Sequence, residues 1–186
     1  MSKMREKLIQ ALTDFKTDYP VEQDYAHDVI DFLKKEPDAF QRHHLDKHIT
    51  AGGFLLSPDG KKVLLMHHAA IQKWFQFGGH ADGDDDVWRV ALKEATEESG
   101  IEGIEFISKD IFALDIHFIP ENKKRGVGVH EHCEIDFLMR APHENFIINE
   151  ESSELRWFTY GELFDIPLGP LQERMRDKWH IWLKSA

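Results

Sequence analysis

The sequence predicts an α/β protein in which a mixed β-sheet lies between helices and a helical hairpin precedes the sheet. Three observations support this fold class. Apolar residues recur at helical spacing up to about residue 35, they follow strand-like patterns in several later segments, and an acidic helical segment lies among those strands. With 41% hydrophobic and 11% aromatic residues, the chain can form a globular core, which a disordered chain cannot.

The first 45 residues are expected to form the helical hairpin, and residues 46–186 the main domain. The first helix is predicted over residues 3–19, ended by Pro20, and the second over 23–35. Their apolar faces comprise Met4, Leu8, Leu12 and Phe15 in the first helix, and Ala26, Val29, Ile30 and Leu33 in the second. We expect the hairpin to pack on the main domain; a dimer contact or a wall of the substrate pocket is the alternative.

Strands and one closing helix are predicted after residue 48. A β-hairpin over 49–66 turns at Ser57-Pro58-Asp59-Gly60, where Pro presets φ and Gly accepts a positive φ. Further strands are predicted at 73–77, 103–119, 127–140 and 155–160, followed by a helix over 168–184. In HEHCEIDFLM (130–139), Cys133 and Ile135 belong to a core face, and His132, Glu134 and Asp136 to a partly polar face.

An acidic helix is predicted from Asp86 to Ser99, capped by aspartates at its start and ended by Gly100. Glu94, Glu97 and Glu98 stand at positions i, i+3 and i+4, so they share one face and repel one another. A divalent cation would remove that repulsion, and carboxylate oxygens favour Mg²⁺ or Mn²⁺. Taken alone, such a cluster is more often a solvated helix face.

The order of motifs here resembles a known box of residues. The segment GHADGDDDVWRVALKEATEESGI is similar to the box of the Nudix hydrolases, with matches at Gly79, Glu94, Ala95, Glu97, Glu98, Gly100 and Ile101. Two positions depart from the family pattern: Asp85 replaces a glutamate and Lys93 replaces an arginine. Both keep their charge, but lysine lacks the planar fork that holds a carboxylate through two hydrogen bonds. The resemblance covers roughly residues 48–165.

The resemblance implies a Nudix α/β/α sandwich and a metal-dependent hydrolase. Its substrate would be a nucleoside diphosphate joined to another group, such as an NDP-sugar, a dinucleotide or an NTP-like molecule. The implied catalytic set is Lys93, Glu94, Glu97 and Glu98; the three glutamates and the Gly78 carbonyl would hold Mg²⁺ or Mn²⁺. The general base is a box glutamate or an acid on a later loop, for which Glu150 and Glu151 are candidates. The alternative is a Nudix-fold module that binds a nucleotide without cleaving it.

Histidines and one tryptophan are the candidates for substrate binding. His80 follows the Gly-Gly turn, His130 and His132 lie on one side of a strand, and His117 lies on the preceding strand. The last three are interpreted either as a second metal site or as groups that contact phosphate, and neutral histidines bonded to substrate oxygens are favoured over zinc. His43, His44 and His48, near the junction of hairpin and strand, are expected to be caps or surface residues, with metal binding as the alternative. Alternation in 73–77 makes Trp74 the better candidate for stacking a base and assigns Phe75 and Phe77 to the core.

Charge and cysteine content indicate the expected partner and location. The formal net charge is −11, which disfavours nucleic-acid binding because a polyanion gains nothing from another polyanion. A small phosphorylated molecule, held through cations, is therefore the expected partner. The single cysteine, Cys133, a charged start and the lack of a long apolar run predict a cytoplasmic protein without a membrane span. The oligomeric state is not indicated by the sequence, and a homodimer is kept as an alternative because Nudix domains are often dimers.

Overall fold

The computed structural model describes residues 1–43, 46–68, 72–121, 128–148 and 152–185. Its helices are α1 (Lys3–Asp14), α2 (Pro20–Lys35), α3 (Val87–Ser99) and α4 (Pro170–Ser185), with a 3-10 helix at Gly161–Phe164. Its strands are β1 (Lys47–Leu56), β2 (Lys62–His68), β3 (Trp74–Phe75), β4 (Phe77–His80), β5 (Glu105–Ile119), β6 (His130–Arg140) and β7 (Ser152–Thr159). Among the described helices, none has both the length and the apolar character that a bilayer span requires.

The sheet is built around β1, which has neighbours on both sides. It pairs in parallel with β6 along its whole length, while its antiparallel partners are β4 near its start and β2 at its end. β5 extends the sheet beyond β6, and β3 and β7 both pair with β2. Parallel and antiparallel pairs thus occur together, which confirms the predicted mixed sheet.

Helices cover both faces of this sheet. One core lies beneath α1, α2 and α3 and contains fully buried residues such as Leu8, Leu33 and Phe77. The other core lies beneath α4 and is built around Trp179 and Phe158. The helical hairpin and the α/β/α layering predicted from the sequence are therefore confirmed.

Three local predictions were wrong at their boundaries. The first helix ends at Asp14, and Pro20 begins α2 rather than ending α1, because its fixed φ suits the first position of a helix. The predicted strand 73–77 is two strands separated at Gln76. This break cancels the alternation, so Trp74 and Phe77 are both buried and Phe75 is only half-buried. Residue 127, the predicted start of β6, lies outside the described residues.

A buried ion-pair network joins the N-terminal hairpin to α4. The carboxylate of Glu22 on α2 is fully buried and accepts hydrogen bonds from Arg174, at 3.2 Å, and from Lys178. Arg174 also donates to Asp115 of β5 at 2.7 Å. Three elements distant in sequence are therefore held together by one cationic pair. Removing the carboxylate would leave those cations buried without it, which is costly.

We expect Glu22→Ala to lower the free energy of unfolding by about 3 kcal/mol, because breaking a buried ion pair strands the remaining charges. Urea denaturation measures the change. The matched control is Asp24→Ala on the same helix, where the side chain is exposed and the expected change is within about 0.5 kcal/mol. Equal effects of the two substitutions would contradict a stabilising role for the network.

Candidate active site

Helix α3 presents the glutamate cluster because its opposite face is buried. Asp86 caps the helix by accepting a hydrogen bond from the Arg89 N–H, and Gly100 ends it with a φ of 65°. Ala91 and Ala95 are fully buried beneath it. With small residues on that side, the helix lies close to β1 and β4, and its glutamates reach the β4 backbone.

Two glutamates rest against the glycine pair of β4. The Gly78 N–H donates to Oε2 of Glu98 at 2.9 Å, and Glu98 is only 6% exposed. A Cβ atom added at Gly79 would lie 2.4 Å from Oε2 of Glu94. Any side chain at Gly79 would therefore displace the Glu94 carboxylate. The glycine pair, which lies in strand β4 rather than in the turn expected from the sequence, thus makes room for the acids.

Lys93 lies between the other carboxylates of the cluster. Its ammonium is 3.1 Å from Oε1 of Glu94 and 3.5 Å from Oε2 of Glu97. The hydrogen bond with Glu94 raises the pKa of Lys93, so the ammonium stays charged. Asp85, the other departure from the box, instead accepts a hydrogen bond from Ser2 at the chain start. Lysine here shares one charge between two acids.

The donor set fits a hard divalent cation. Glu94, Glu97 and Glu98 offer carboxylate oxygens from one helix face, and Lys93 is a single ammonium for two of them. Oxygen donors of this kind suit Mg²⁺ or Mn²⁺ rather than a soft metal. The close packing of Glu94 over Gly79 is a cradle that any Cβ atom would fill.

A cavity of about 400 Å³ opens beside the glycine pair. It is bounded by β2, β3, β5, β6 and the segment that begins α4. The lining residues include Lys73, Phe75, Gly78, His117, His132 and Glu134. Gly78 belongs both to the cavity wall and to the contact with Glu98, so the glutamate cluster adjoins the cavity at this point, although Glu94, Glu97 and Glu98 are not among the lining residues.

The sequence matches the family profile described as NUDIX domain over residues 46–180. The chain belongs to the Nudix family. Among its relatives, "Putative 8-oxo-dGTP diphosphatase 3" of Mycobacterium tuberculosis is 28% identical over 135 residues, covering 64% of this chain. The matched region spans 56% of that relative's length.

Solved Nudix structures share the fold at low identity. The Ap4A hydrolase of C. elegans, solved as a binary complex, has a TM-score of 0.56 and 20% identity and covers 74% of this chain and 98% of its own. The NUDIX domain of NrtR from Shewanella oneidensis, solved with ADP ribose, has a TM-score of 0.53 and 16% identity, covering 82% and 97%. The family and fold predicted from the box are confirmed.

The cavity beside the glycine pair, called the Nudix cavity from here on, is lined by some of the predicted substrate-binding residues and not by others. His117 and His132 line it, but His80, His130 and Trp74 are not among its lining residues. The stacking role predicted for Trp74 conflicts with its position in the core, where its ring is 4.8 Å from that of Phe158. Phe75, assigned to the core from the sequence, lines the cavity instead.

Glu150 and Glu151, the candidates for general base, lie outside the described residues.

The histidines around the cavity have different protonation preferences. The pKa of His132 is lowered to about 2 and that of His80 to about 4, because both rings are desolvated and have cationic or imidazole neighbours. Burial also opposes the charged form of His117, but its hydrogen bond to Asp115 and the charge of Glu134 raise the pKa of His117 overall. His117 is thus the histidine suited to carry a positive charge into the Nudix cavity.

Two buried carboxyls beside the cavity were not predicted as site residues. Burial raises the pKa of Glu134, and burial together with the charge of Glu134 raises the pKa of Asp136 well above its usual range. Oδ1 of Asp136 has no hydrogen-bond partner among the described residues, and its Oδ2 accepts a bond of 3.4 Å from Gln76. Burial and the missing partner of Oδ1 both favour the neutral form of Asp136. The sequence signal that could have identified these two carboxyls was the polar face that alternation assigns to residues 130–139.

We expect the stability of the wild type to fall relative to that of Asp136→Asn as pH rises above the ordinary carboxyl range. The native pKa is raised, so the stabilising contribution is complete below the ordinary carboxyl pKa and is lost as pH rises through the raised value. The loss is about 1.4 kcal/mol for each pH unit between the two values. Chemical denaturation at several pH values measures it.

The control for that series is Asp59→Asn. A hydrogen bond from Ser57 lowers the pKa of Asp59, so its contribution has the opposite sign and is lost on acidification. Parallel stability curves for the wild type and Asp136→Asn would show that Asp136 is ionised like an ordinary carboxyl.

Proposed function

We propose that the protein is a metal-dependent pyrophosphohydrolase that cleaves the diphosphate linkage of a nucleoside diphosphate joined to another group. The observation that carries this proposal is the buried Glu98 carboxylate, fixed by the Gly78 N–H at 2.9 Å where Gly78 forms part of a cavity wall. A cavity without an adjoining acidic helix would only bind a nucleotide. An acidic helix without the cavity would have no substrate to act on.

The residues proposed to hold Mg²⁺ or Mn²⁺ are Glu94, Glu97, Glu98 and the carbonyl of Gly78. When bound, the cation supplies positive charge for the phosphate oxygens and increases the acidity of the attacking water. Lys93 orients Glu94 and Glu97 through its two ion pairs. Glu150 and Glu151 remain proposed general bases, and Glu134 joins them because it lines the cavity and burial raises its pKa.

The rest of the cavity suits a nucleotide-like molecule. His117, whose pKa is raised, and Lys73 both line it and would contact phosphate oxygens as cations. His132, held neutral, would hydrogen bond to the same group. Phe75 offers an aromatic surface for a base. These placements explain how a protein of net charge −11 would hold an anion, which requires positive groups concentrated at one place.

The names of relatives support this substrate class without fixing the substrate. One is called an 8-oxo-dGTP diphosphatase and another an Ap4A hydrolase. The NrtR domain was solved with ADP ribose, which keeps a nucleotide-binding module as the second candidate. Localisation in the cytoplasm is part of the proposal, since a single thiol, Cys133, cannot form a disulfide within the chain.

Hydrolysis of a panel of NDP-sugars, dinucleotides and NTPs, with Mg²⁺ and Mn²⁺ in parallel, tests the proposal. We expect activity in the wild type and a loss of at least about 100-fold in kcat for Glu98→Gln, because an amide is a weaker ligand than a carboxylate. The matched control is Glu102→Gln just beyond the helix, where the side chain is exposed and activity should be unchanged.

Two results would count against the enzyme. If the wild type binds a nucleotide in calorimetry but cleaves nothing in the panel, the binding module is the better description. If Glu98→Gln and Glu102→Gln lose activity equally, Glu98 has no specific role in the reaction.

We expect Phe75→Ala to raise KM for the best panel substrate, with kcat little changed, because a stacked base contributes about 1–3 kcal/mol to binding. Phe118→Ala is the control: Phe118 is 72% exposed and lies outside the cavity lining. Steady-state kinetics measure both variants. An unchanged KM for Phe75→Ala would remove Phe75 from the substrate site.

A further inference from the structure

A cluster of histidines lies next to the glutamate site but uses a different donor chemistry. We propose that His48, His130 and His132 form a binding site for a transition-metal ion of the zinc type, separate from the glutamates. The candidate ligand nitrogens of these three residues all lie within 4.8 Å of one another. The site belongs to the described part of the chain, and its argument is independent of the hydrolase proposal.

The parallel pairing of β1 with β6 creates the cluster. His48 is in register with His132, and His130 lies two residues earlier on the same face of β6. The ring of His48 is 5.0 Å from that of His130 and 4.6 Å from that of His132, centroid to centroid. Strand geometry thus fixes the three imidazoles, so a metal would require little rearrangement of the backbone.

The spacing of the His130 and His132 nitrogens matches that of two ligands on a tetrahedral ion. Nε2 of His130 lies 3.1 Å from Nε2 of His132. Two nitrogens bound to zinc at their usual bond length of about 2.0–2.1 Å are separated by about 3.3 Å at the tetrahedral angle. A small adjustment of the two rings would therefore bring both nitrogens to bonding distance from one ion.

A second contact favours the required tautomer of His130. Its Nδ1 lies 2.9 Å from the carbonyl oxygen of Gly128, and a carbonyl can only accept, so Nδ1 carries the proton. In the neutral ring Nε2 then has a free lone pair, which is directed toward His132. Histidines that bind metals commonly donate their other N–H to a backbone carbonyl in this way.

The surroundings make this a nitrogen site with limited access to water. His48 and His130 are 3% and 7% exposed. The ring of His80 approaches to 5.0 Å from His48 and 4.9 Å from His132, so it borders the site on a further side. Neutral imidazoles suit zinc, whereas the carboxylates of α3 suit magnesium or manganese. The two sites would therefore select different ions.

The competing interpretation is a hydrogen bond between His132 and His130 with no metal. Zinc titration by calorimetry, after chelator treatment and with excess Mg²⁺ present, separates the two. We expect one equivalent of zinc for the wild type, for Glu98→Gln and for the exposed-histidine control His143→Gln. For His130→Gln and His132→Gln we expect an affinity at least about 100-fold lower, because each has lost a ligand.

Cobalt substitution provides a readout that does not depend on variants folding. Co²⁺ added to the wild type with excess Mg²⁺ should give the strong visible absorption of four-coordinate, nitrogen-ligated cobalt. Absence of that absorption, or of zinc uptake by the wild type, would overturn the site, and so would uptake lost in Glu98→Gln but kept in His132→Gln. Because neither readout involves hydrolysis, failure of the proposed activity leaves this test intact.

Discussion

The candidate site depends on the contact between the acidic helix α3 and the glycine pair of β4, where no side chain separates the two elements. Glu98 is buried, and a buried carboxylate is costly unless it is hydrogen-bonded, which the Gly78 N–H provides at 2.9 Å. Glu94 packs where a Cβ atom at Gly79 would lie. Glycine is required here by close approach rather than by an unusual φ. A side chain at Gly79 would displace the Glu94 carboxylate from the glycine pair.

A glycine also allows a close approach in β1, the strand that pairs in parallel with β6. A Cβ atom at Gly52 of β1 would lie 2.6 Å from Oδ1 of Asp136 and 2.9 Å from Oε1 of Glu134. At the start of the same pair, His48 faces His132. One pair of strands therefore carries imidazoles at one end and buried carboxyls further along. The glutamates of α3 face β4 on the other side of β1, and they adjoin the cavity lined by His117, His132 and Glu134 through Gly78.

The helices and turns could be predicted from local sequence patterns. The pairing of strands that are distant in sequence could not. The Ser57–Gly60 turn, the cap at Asp86 and the stop at Gly100 depend on neighbouring residues, and the sequence contains all of that information. The burial of Asp136 and the inclusion of His48 in the histidine cluster depend on β1 lying beside β6, which are about 80 residues apart. Trp74 was misassigned for a local reason, since the break at Gln76 interrupts the alternation that the prediction assumed.

The acids that stabilise the fold differ from those available to a cation in how their negative charge is compensated. Glu22 is matched by Arg174 and Lys178, and Asp115 by Arg174 and His117, so both are neutralised within the fold. Burial raises the pKa of Asp136 and so favours its neutral form. On α3 the balance differs, because Lys93 supplies one positive charge to Glu94 and Glu97 before Glu98 is considered. The three acids of α3 exceed the single charge of Lys93, which favours a divalent cation, and so the proposed chemistry, at α3 rather than at the other buried acids.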